Sequence, residues 1–304
     1  MFGGLLLSGL MIGQALLPVG LQAAEPPPLI PREVLFGNPE ISGVDLSQDV
    51  NDTVIGEIRQ ALLDHCVIFF REQEIDTEQH KRLAKRFGDI FIHPNFNTGD
   101  HDPEVVTIHR KPDDELIVGE DWHTDTTMMA EPPMGALLYA LDVPEFGGDT
   151  LFANQYLAYE SLSDGMKELL GGMRCIHTDR KVAGPDSRVA KFKRSTAVRL
   201  DDEWRETRNS HPVVRTHPET GRKCLFVNHS YSVAFEGMTE EESAPLLNWL
   251  MDWGHRPEIT CRFRWEKGSL AFWDNRCVKH IAVHDIQHAE RLMRRVQIAG
   301  EKVA

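Results

Sequence analysis

The sequence predicts a mainly β domain, a sandwich or barrel, with helices packed outside it. Short apolar segments recur at 105–109, 135–141, 150–153, 174–178, 213–216, 224–228, 259–265 and 269–273, with Gly, Pro, Asp or Asn clusters between them. Many short strands so punctuated, with few long helices, point to a sandwich or barrel. The length is the other observation: 304 residues that are 41% hydrophobic can bury one large core, and roughly 250 residues is normal for a single β-rich domain.

In chain order, residues 1–38 read as a leader outside the fold. Residues 2–21 are apolar and end in Gln22-Ala23-Ala24 before Glu25 and three prolines. Length and small-residue end suit a secretory signal or an uncleaved anchor, yet no Lys or Arg precedes the run. Residues 29–39 resemble the start of a secreted prolyl-oligopeptidase-type peptidase, so leader and body read as having different origins. The single domain is placed at 39–304. Asp52-Thr53 caps a helix carrying Val54, Ile55, Ile58, Ala61 and Leu62 at the helical period, and Cys66 to Phe70 follow as a buried strand. Asp76 caps a second helix that Gly88 stops. Residues 156–170 have a broken helical pattern, and Thr239-Glu240-Glu241-Glu242 is a capping box opening a helix through Leu246, Leu247, Leu250 and Trp253. The polar, basic stretch 181–199 fits either a solvated loop or a lid.

The formal charge of -14 leaves no sequence-wide basic footprint, which argues against nucleic acid or an anionic membrane surface as partner. A small anionic substrate would have to meet a local basic cluster. Five scattered cysteines with no C-x-x-C pair read as unpaired thiols in a reducing compartment.

With fourteen histidines, spacing has to decide which are ligands. His123 and Asp125 are two apart, so in an extended segment both project from one face and can reach one ion. His280, just after the strand-like 269–273, supplies a third ligand. Two His and one carboxylate leave three positions open, as a non-heme Fe(II) centre binding a bidentate co-substrate and O2 requires. Zn(II) accepts the same ligands, usually in a closed or hydrolytic site. Taken alone, His-x-Asp fits a turn or a salt-bridged pair as readily.

It does not stand alone. Trp122-His123-Thr124-Asp125-Thr126-Thr127, Gly147-Gly148-Asp149-Thr150, Trp273-Asp274-Asn275 with His280, and the arginines that follow stand in an order and at separations that resemble the taurine dioxygenase family of Fe(II)/2-oxoglutarate-dependent oxygenases. The resemblance runs from about 41 to 300. It implies a double-stranded β-helix, a cupin-like jelly roll with outer helices. It also implies Fe(2+) on His123, Asp125 and His280, with 2-oxoglutarate and O2 as co-substrates. Thr150 matches the hydroxyl that contacts 2-oxoglutarate, and Arg291 the arginine that salt-bridges its far carboxylate, where a planar guanidinium gives a bidentate grip that Lys cannot.

Arg295, four residues past Arg291, faces the same way in a strand, and two inward arginines are costly unless each meets an anion. In sulfonate-oxidising members the positions of Arg295 and His93 meet the sulfonate. Gly119 stands where the taurine pattern has asparagine, and Tyr231 where it has phenylalanine; 117–122 resembles the aryloxypropionate enzymes of the family. The implied reaction is hydroxylation of a small anionic organic substrate, a sulfonate, sulfate ester or aryloxyalkanoate, giving succinate and CO2. A non-catalytic metal- or organic-acid-binding jelly roll and a Zn-dependent hydrolase stay open beside it. A cytoplasmic homo-oligomer is expected, or an exported protein if 1–24 is a genuine signal.

Overall fold

The computed structural model describes residues 39–96, 102–198, 204–286 and 288–303, so the leader 1–38 and Arg199 lie outside the described residues. Five antiparallel strands form the principal sheet, in the order β1 (Val67–Phe70), β11 (Leu270–Asp274), β3 (Gly135–Asp142), β13 (Arg291–Ile298) and β2 (Val106–Arg110). Against it lies a second antiparallel sheet, β10 (Thr260–Phe263), β4 (Thr150–Asn154) and β12 (Val278–Ala282). Further out are β6 (Arg208–Pro212), β5 (Arg174–Thr178) and β9 (Ser232–Phe235), and the hairpin β7 (Val214–Thr216) and β8 (Lys223–Leu225).

The two-residue alternation of strands explains the layers. Ile68, Phe70, Leu137, Tyr139, Leu270, Phe272, Val296 and Ile298 share one core with Ile55, Ile58 and Leu62 of α1 (Asp52–His65) and Leu83 and Ala84 of α2 (Thr77–Lys85). Their neighbours Val67, Phe69, Ala136, Leu138, Ala271, Trp273 and Met293 share another with Phe152 and Phe263 of the second sheet. Both faces of the principal sheet are therefore buried at β1, β3 and β11, which is why these three strands read as continuous apolar runs. This is the mainly β jelly roll with outer helices that the resemblance implied.

Local signals account for most boundaries. Asn51, rather than Asp52, caps α1, its side chain accepting from the Val54 N–H at 3.0 Å; Asp52 is then the first helical residue, where its charge favours the helix dipole. Asp76 and Gln79 close a reciprocal capping box on α2, each bond 2.8 Å. The broken pattern at 156–170 is two helices, α3 (Gln155–Glu160) and α4 (Asp164–Leu170), the second capped by Ser163. Within 181–198 only the single turn α5 (Arg188–Lys191) is helical, and Thr239 caps α6 (Glu240–Trp253) as expected. No helix among the described residues is long and apolar enough to cross a membrane.

Candidate active site

Backbone pairing between distant segments builds the centre. His123 and His280 exchange both N–H···O bonds, at 2.9 and 2.8 Å, so their imidazoles leave neighbouring positions on one face, ring centroids 4.1 Å apart. Asn275 fixes the next residue of the triad: its Oδ1 accepts from the Asp125 N–H at 2.8 Å, and its Nδ2 donates to the carbonyls of Asp125 and Pro133 at 3.0 Å each. The chain then turns back through Thr126, at a positive φ of 55° that is strained for a β-branched residue. Asn228 and His177 hold the far side of that turn through Thr127 Oγ1, at 3.1 and 2.8 Å.

The ligand atoms of His123, Asp125 and His280 lie within 4.8 Å of one another, and all three residues are buried. Asp125 Oδ1 is 3.5 Å from His123 Nε2 and 3.9 Å from His280 Nε2. The Asp121 carbonyl lies 2.7 Å from His123 Nδ1, which keeps the proton there and turns the Nε2 lone pair inward. Burial pushes the Asp125 carboxyl up, but Arg295 and the two imidazoles more than offset it and hold the group well below the usual carboxylate range. Burial, reinforced by His123, holds His280 well below the ordinary imidazole value. An anionic carboxylate beside neutral imidazole is a fitting donor set for Fe(II).

Two buried arginines flank the triad. Arg295 Nη1 is 3.3 Å from Asp125 Oδ1, while its Nε and Nη2 have no hydrogen-bond partner. Arg291 Nε and Nη2 are also buried without partners, and burial drives this guanidinium down to about 10. A buried guanidinium so placed demands an anion. Thr150 shares the Arg291 pocket with His280; its hydroxyl accepts from Trp265 Nε1 at 2.9 Å, leaving its own proton for an acceptor. Here, too, the residues suit the implied group, a dicarboxylate co-substrate reaching from the metal to Arg291.

On the other side, His93 and Tyr231 line a pocket with His123, Asp125 and Arg295. Gly119 opens onto both pockets. Its φ is +88°, and a Cβ there would come within 3.2 Å of His123 Cε1, so a side chain would crowd the ligand as well as strain the backbone. Val182, Arg188 and Val189 of the 181–198 segment line the outer pocket. Arg188 reaches back to pair with the buried carboxylate of Glu120, so this segment covers the mouth.

All eight residues singled out in the sequence thus lie on these two pockets. Gln297 was missed: its Nε2 donates to Asp125 Oδ2 at 3.1 Å. A signal existed, since Gln297 is two residues past Arg295 on the same face of β13. The roles of Asn275 and Trp265 were missed as well, and neither pairing has a local sequence signature.

A jelly roll holding two histidines and a carboxylate between buried arginines defines a metal-dependent oxygenase of organic anions. Comparison with known proteins narrows the class. The family described as Taurine catabolism dioxygenase TauD, TfdA family matches residues 27–297. An alkylsulfatase of Acinetobacter baylyi is 35% identical over 267 residues, 86% of this chain and 82% of the relative. An alpha-ketoglutarate-dependent sulfate ester dioxygenase of Pseudomonas putida is 34% identical over 266 residues, 86% of each chain. Among solved structures, a putative alpha-ketoglutarate-dependent taurine dioxygenase from Burkholderia xenovorans superposes with a TM-score of 0.74 at 34% identity, covering 89% of this chain and 92% of that one. The chain belongs to the TauD/TfdA dioxygenase family.

Proposed function

We propose that this protein is an Fe(II)- and 2-oxoglutarate-dependent dioxygenase that hydroxylates a small organic anion, with a sulfate ester carrying an apolar group as the preferred substrate. The observation that carries the reading is the pair of buried guanidiniums, Arg291 and Arg295, each with unpartnered N–H groups on pockets that meet at His123. A co-substrate dicarboxylate and a substrate anion are two different anions, and each needs its own clamp.

His123, Asp125 and His280 would hold the iron, which when bound supplies the redox chemistry that couples 2-oxoglutarate decarboxylation to insertion of oxygen into a substrate C–H. Arg291 grips the far carboxylate of 2-oxoglutarate while the Thr150 hydroxyl donates to it. Arg295 and His93 take the substrate's anionic head. The Asn95 N–H donates to His93 Nδ1 at 3.1 Å, so the neutral ring keeps its proton on Nε2, free to donate to that head. Burial and the nearby Arg295 hold His93 down to about 3, so it stays neutral. Leu116, Ile117, Val118, Val182 and Val189 wall the outer pocket, which suits an alkyl or aryl group, and Tyr231 adds a buried phenol. Hydroxylation at the carbon bearing the sulfate oxygen gives a hemiacetal sulfate, which collapses to a carbonyl compound and sulfate.

The same reading places the enzyme in the cytoplasm, where 2-oxoglutarate and reduced iron are found. The test is succinate release from alkyl sulfates, sulfonates and aryloxyalkanoates with anaerobically added Fe(II), wild type against Arg295→Ala. Alkyl sulfates should lead, and the variant should release succinate uncoupled from substrate oxidation. Equal loss of both activities would reject the role given to Arg295, and turnover independent of 2-oxoglutarate would reject the reading itself.

A further inference from the structure

Beyond the triad, two more clusters among the described residues bring three metal-ligating side chains together: His217, Asp274 and Cys277, and His229, Asp252 and His255. In the first, the carboxylate is already committed. Arg276 donates to Asp274 Oδ1 at 2.8 Å and Oδ2 at 2.6 Å, and His217 Nε2 lies 3.0 Å from Oδ2. A further cation there would meet a guanidinium.

In the second, no guanidinium among the described residues bonds the carboxylate, and the buried Lys279, whose charge acts on both imidazoles and on Asp252, is tied by its Nζ to the Met251 carbonyl at 2.9 Å. His229 Nε2 is 3.3 Å and His255 Nε2 3.9 Å from the same oxygen, Asp252 Oδ1. The Met251 carbonyl lies 2.9 Å from His255 Nδ1, which keeps the proton of a neutral ring on Nδ1 and turns the Nε2 lone pair toward the carboxylate. Two acceptors then face each other, an arrangement that a bound cation relieves; orientation of a ligating imidazole by a carbonyl on its other nitrogen is a regular feature of metal sites. His229 Nδ1 is buried and without a partner, so no protein group donates to it and fixes the proton on Nε2. Burial, reinforced by the nearby Lys279, also lowers both imidazoles, His229 to about 4, which disfavours a simple imidazolium–carboxylate pair. Trp122 stacks on His255, centroids 5.1 Å apart at 13°, which restrains that ring, and the Trp122 carbonyl accepts from the His229 backbone N–H at 3.1 Å, which fixes the chain at His229.

We propose that His229, Asp252 and His255 form a second divalent-metal site, suited to a borderline ion such as Zn(II), at the surface beside the active-site mouth. Two imidazoles, one carboxylate and a water complete a tetrahedral shell. An ion there ties the end of α6 to the turn that brings Tyr231 into the outer pocket, and to Trp122, which directly precedes His123. None of its ligands belongs to the catalytic triad.

Metal-free full-length protein is dialysed against graded Zn(II) and its bound metal counted, for wild type, His123→Ala, Asp252→Asn and the double variant Asp252→Asn/His255→Ala. Asp252 is 71% exposed, so its replacement leaves packing intact, and a thermal melt of each metal-free variant checks the fold. Wild type should bind two equivalents and His123→Ala should keep the outer one. Asp252→Asn should weaken that one by at least roughly tenfold, and the double variant should lose it. A single equivalent in wild type that His123→Ala loses, or a second equivalent that survives the double substitution at unchanged affinity, would overturn the proposal. The triad's own equivalent is read separately in the Asp252 variants, so failure of one site is not mistaken for failure of the other.

Discussion

Replacing Arg291 with Met should stabilise the ligand-free protein and abolish its response to 2-oxoglutarate, two effects of opposite sign from one substitution. Arg291 is 6% exposed, with two of its nitrogens unpartnered. Burial lowers its guanidinium from the ordinary value of about 12.5 to about 10, and at 1.36 kcal/mol per pH unit that depression is a cost on the order of 3 kcal/mol. The sign follows from a base whose folded pKa is depressed: at neutral pH the group is charged in both states and the cost is fully present, and it fades only as pH rises through the folded pKa, where the folded state binds fewer protons than the unfolded one. Met fills much of the same volume without the charge, and after relaxation about 1–3 kcal/mol should return to the metal-loaded, 2-oxoglutarate-free protein. Wild type at a hundredfold excess of 2-oxoglutarate over its dissociation constant should gain about 2.7 kcal/mol, visible as a rise in the urea midpoint; the variant should gain none. Urea unfolding with Mn(II), with and without 2-oxoglutarate, reads both quantities. A variant that is less stable without ligand, or that keeps the wild-type shift, would refute the assignment of Arg291 as an anion clamp held ready at the cost of stability.

Two further outcomes are expected. Gln297→Leu removes the side-chain hydrogen bond from Gln297 Nε2 to Asp125 Oδ2 and should weaken metal binding by about 10- to 100-fold while leaving Arg291-dependent binding of 2-oxoglutarate to the residual metal-loaded protein intact; unchanged metal affinity in a titration would show that the contact does not orient the ligand. Burial pushes the Asp274 carboxyl up, but hydrogen bonds from Arg276 and His217 more than offset it and hold the group well below the usual range. Its stabilising contribution is therefore present above the unfolded value of about 3.9 and lost as pH falls below it, so Asp274→Asn should flatten the acid limb of a stability–pH curve, and a curve parallel to wild type would count against it.

Much of the site was legible in one dimension because its chemistry is carried by short, spaced motifs. His123 and Asp125 lie two residues apart on an extended segment, and Arg291 and Arg295 share one face of β13, so local geometry alone aligns each pair. Strands β1, β3 and β11 of the principal sheet were legible for a similar reason, their apolar runs reflecting burial on both faces. Strands β6, β9 and β12 were not, since polar residues such as His211, Ser232, Lys279 and His280 interrupt the apolar signal while long-range pairing supplies the strand. Cys224 opens an apolar run that suggested a strand to 228, yet pairing ends at Leu225, because the chain then turns through Asn228 to bring Tyr231 to the pocket.

By itself, then, the sequence determined which residues could meet a metal and two anions, since residue type and spacing fix ligand chemistry and strand facing. Only the tertiary structure decided what holds them: Asn275 on the Asp125 backbone, Gln297 on its carboxylate, Trp265 on Thr150, and residues 181–198 over the mouth. Those contacts join segments far apart in the chain, and the sheet pairings that bring them together are set by packing of the whole core. The same physics put His229 beside Asp252 and His255, a grouping with no sequence spacing to announce it.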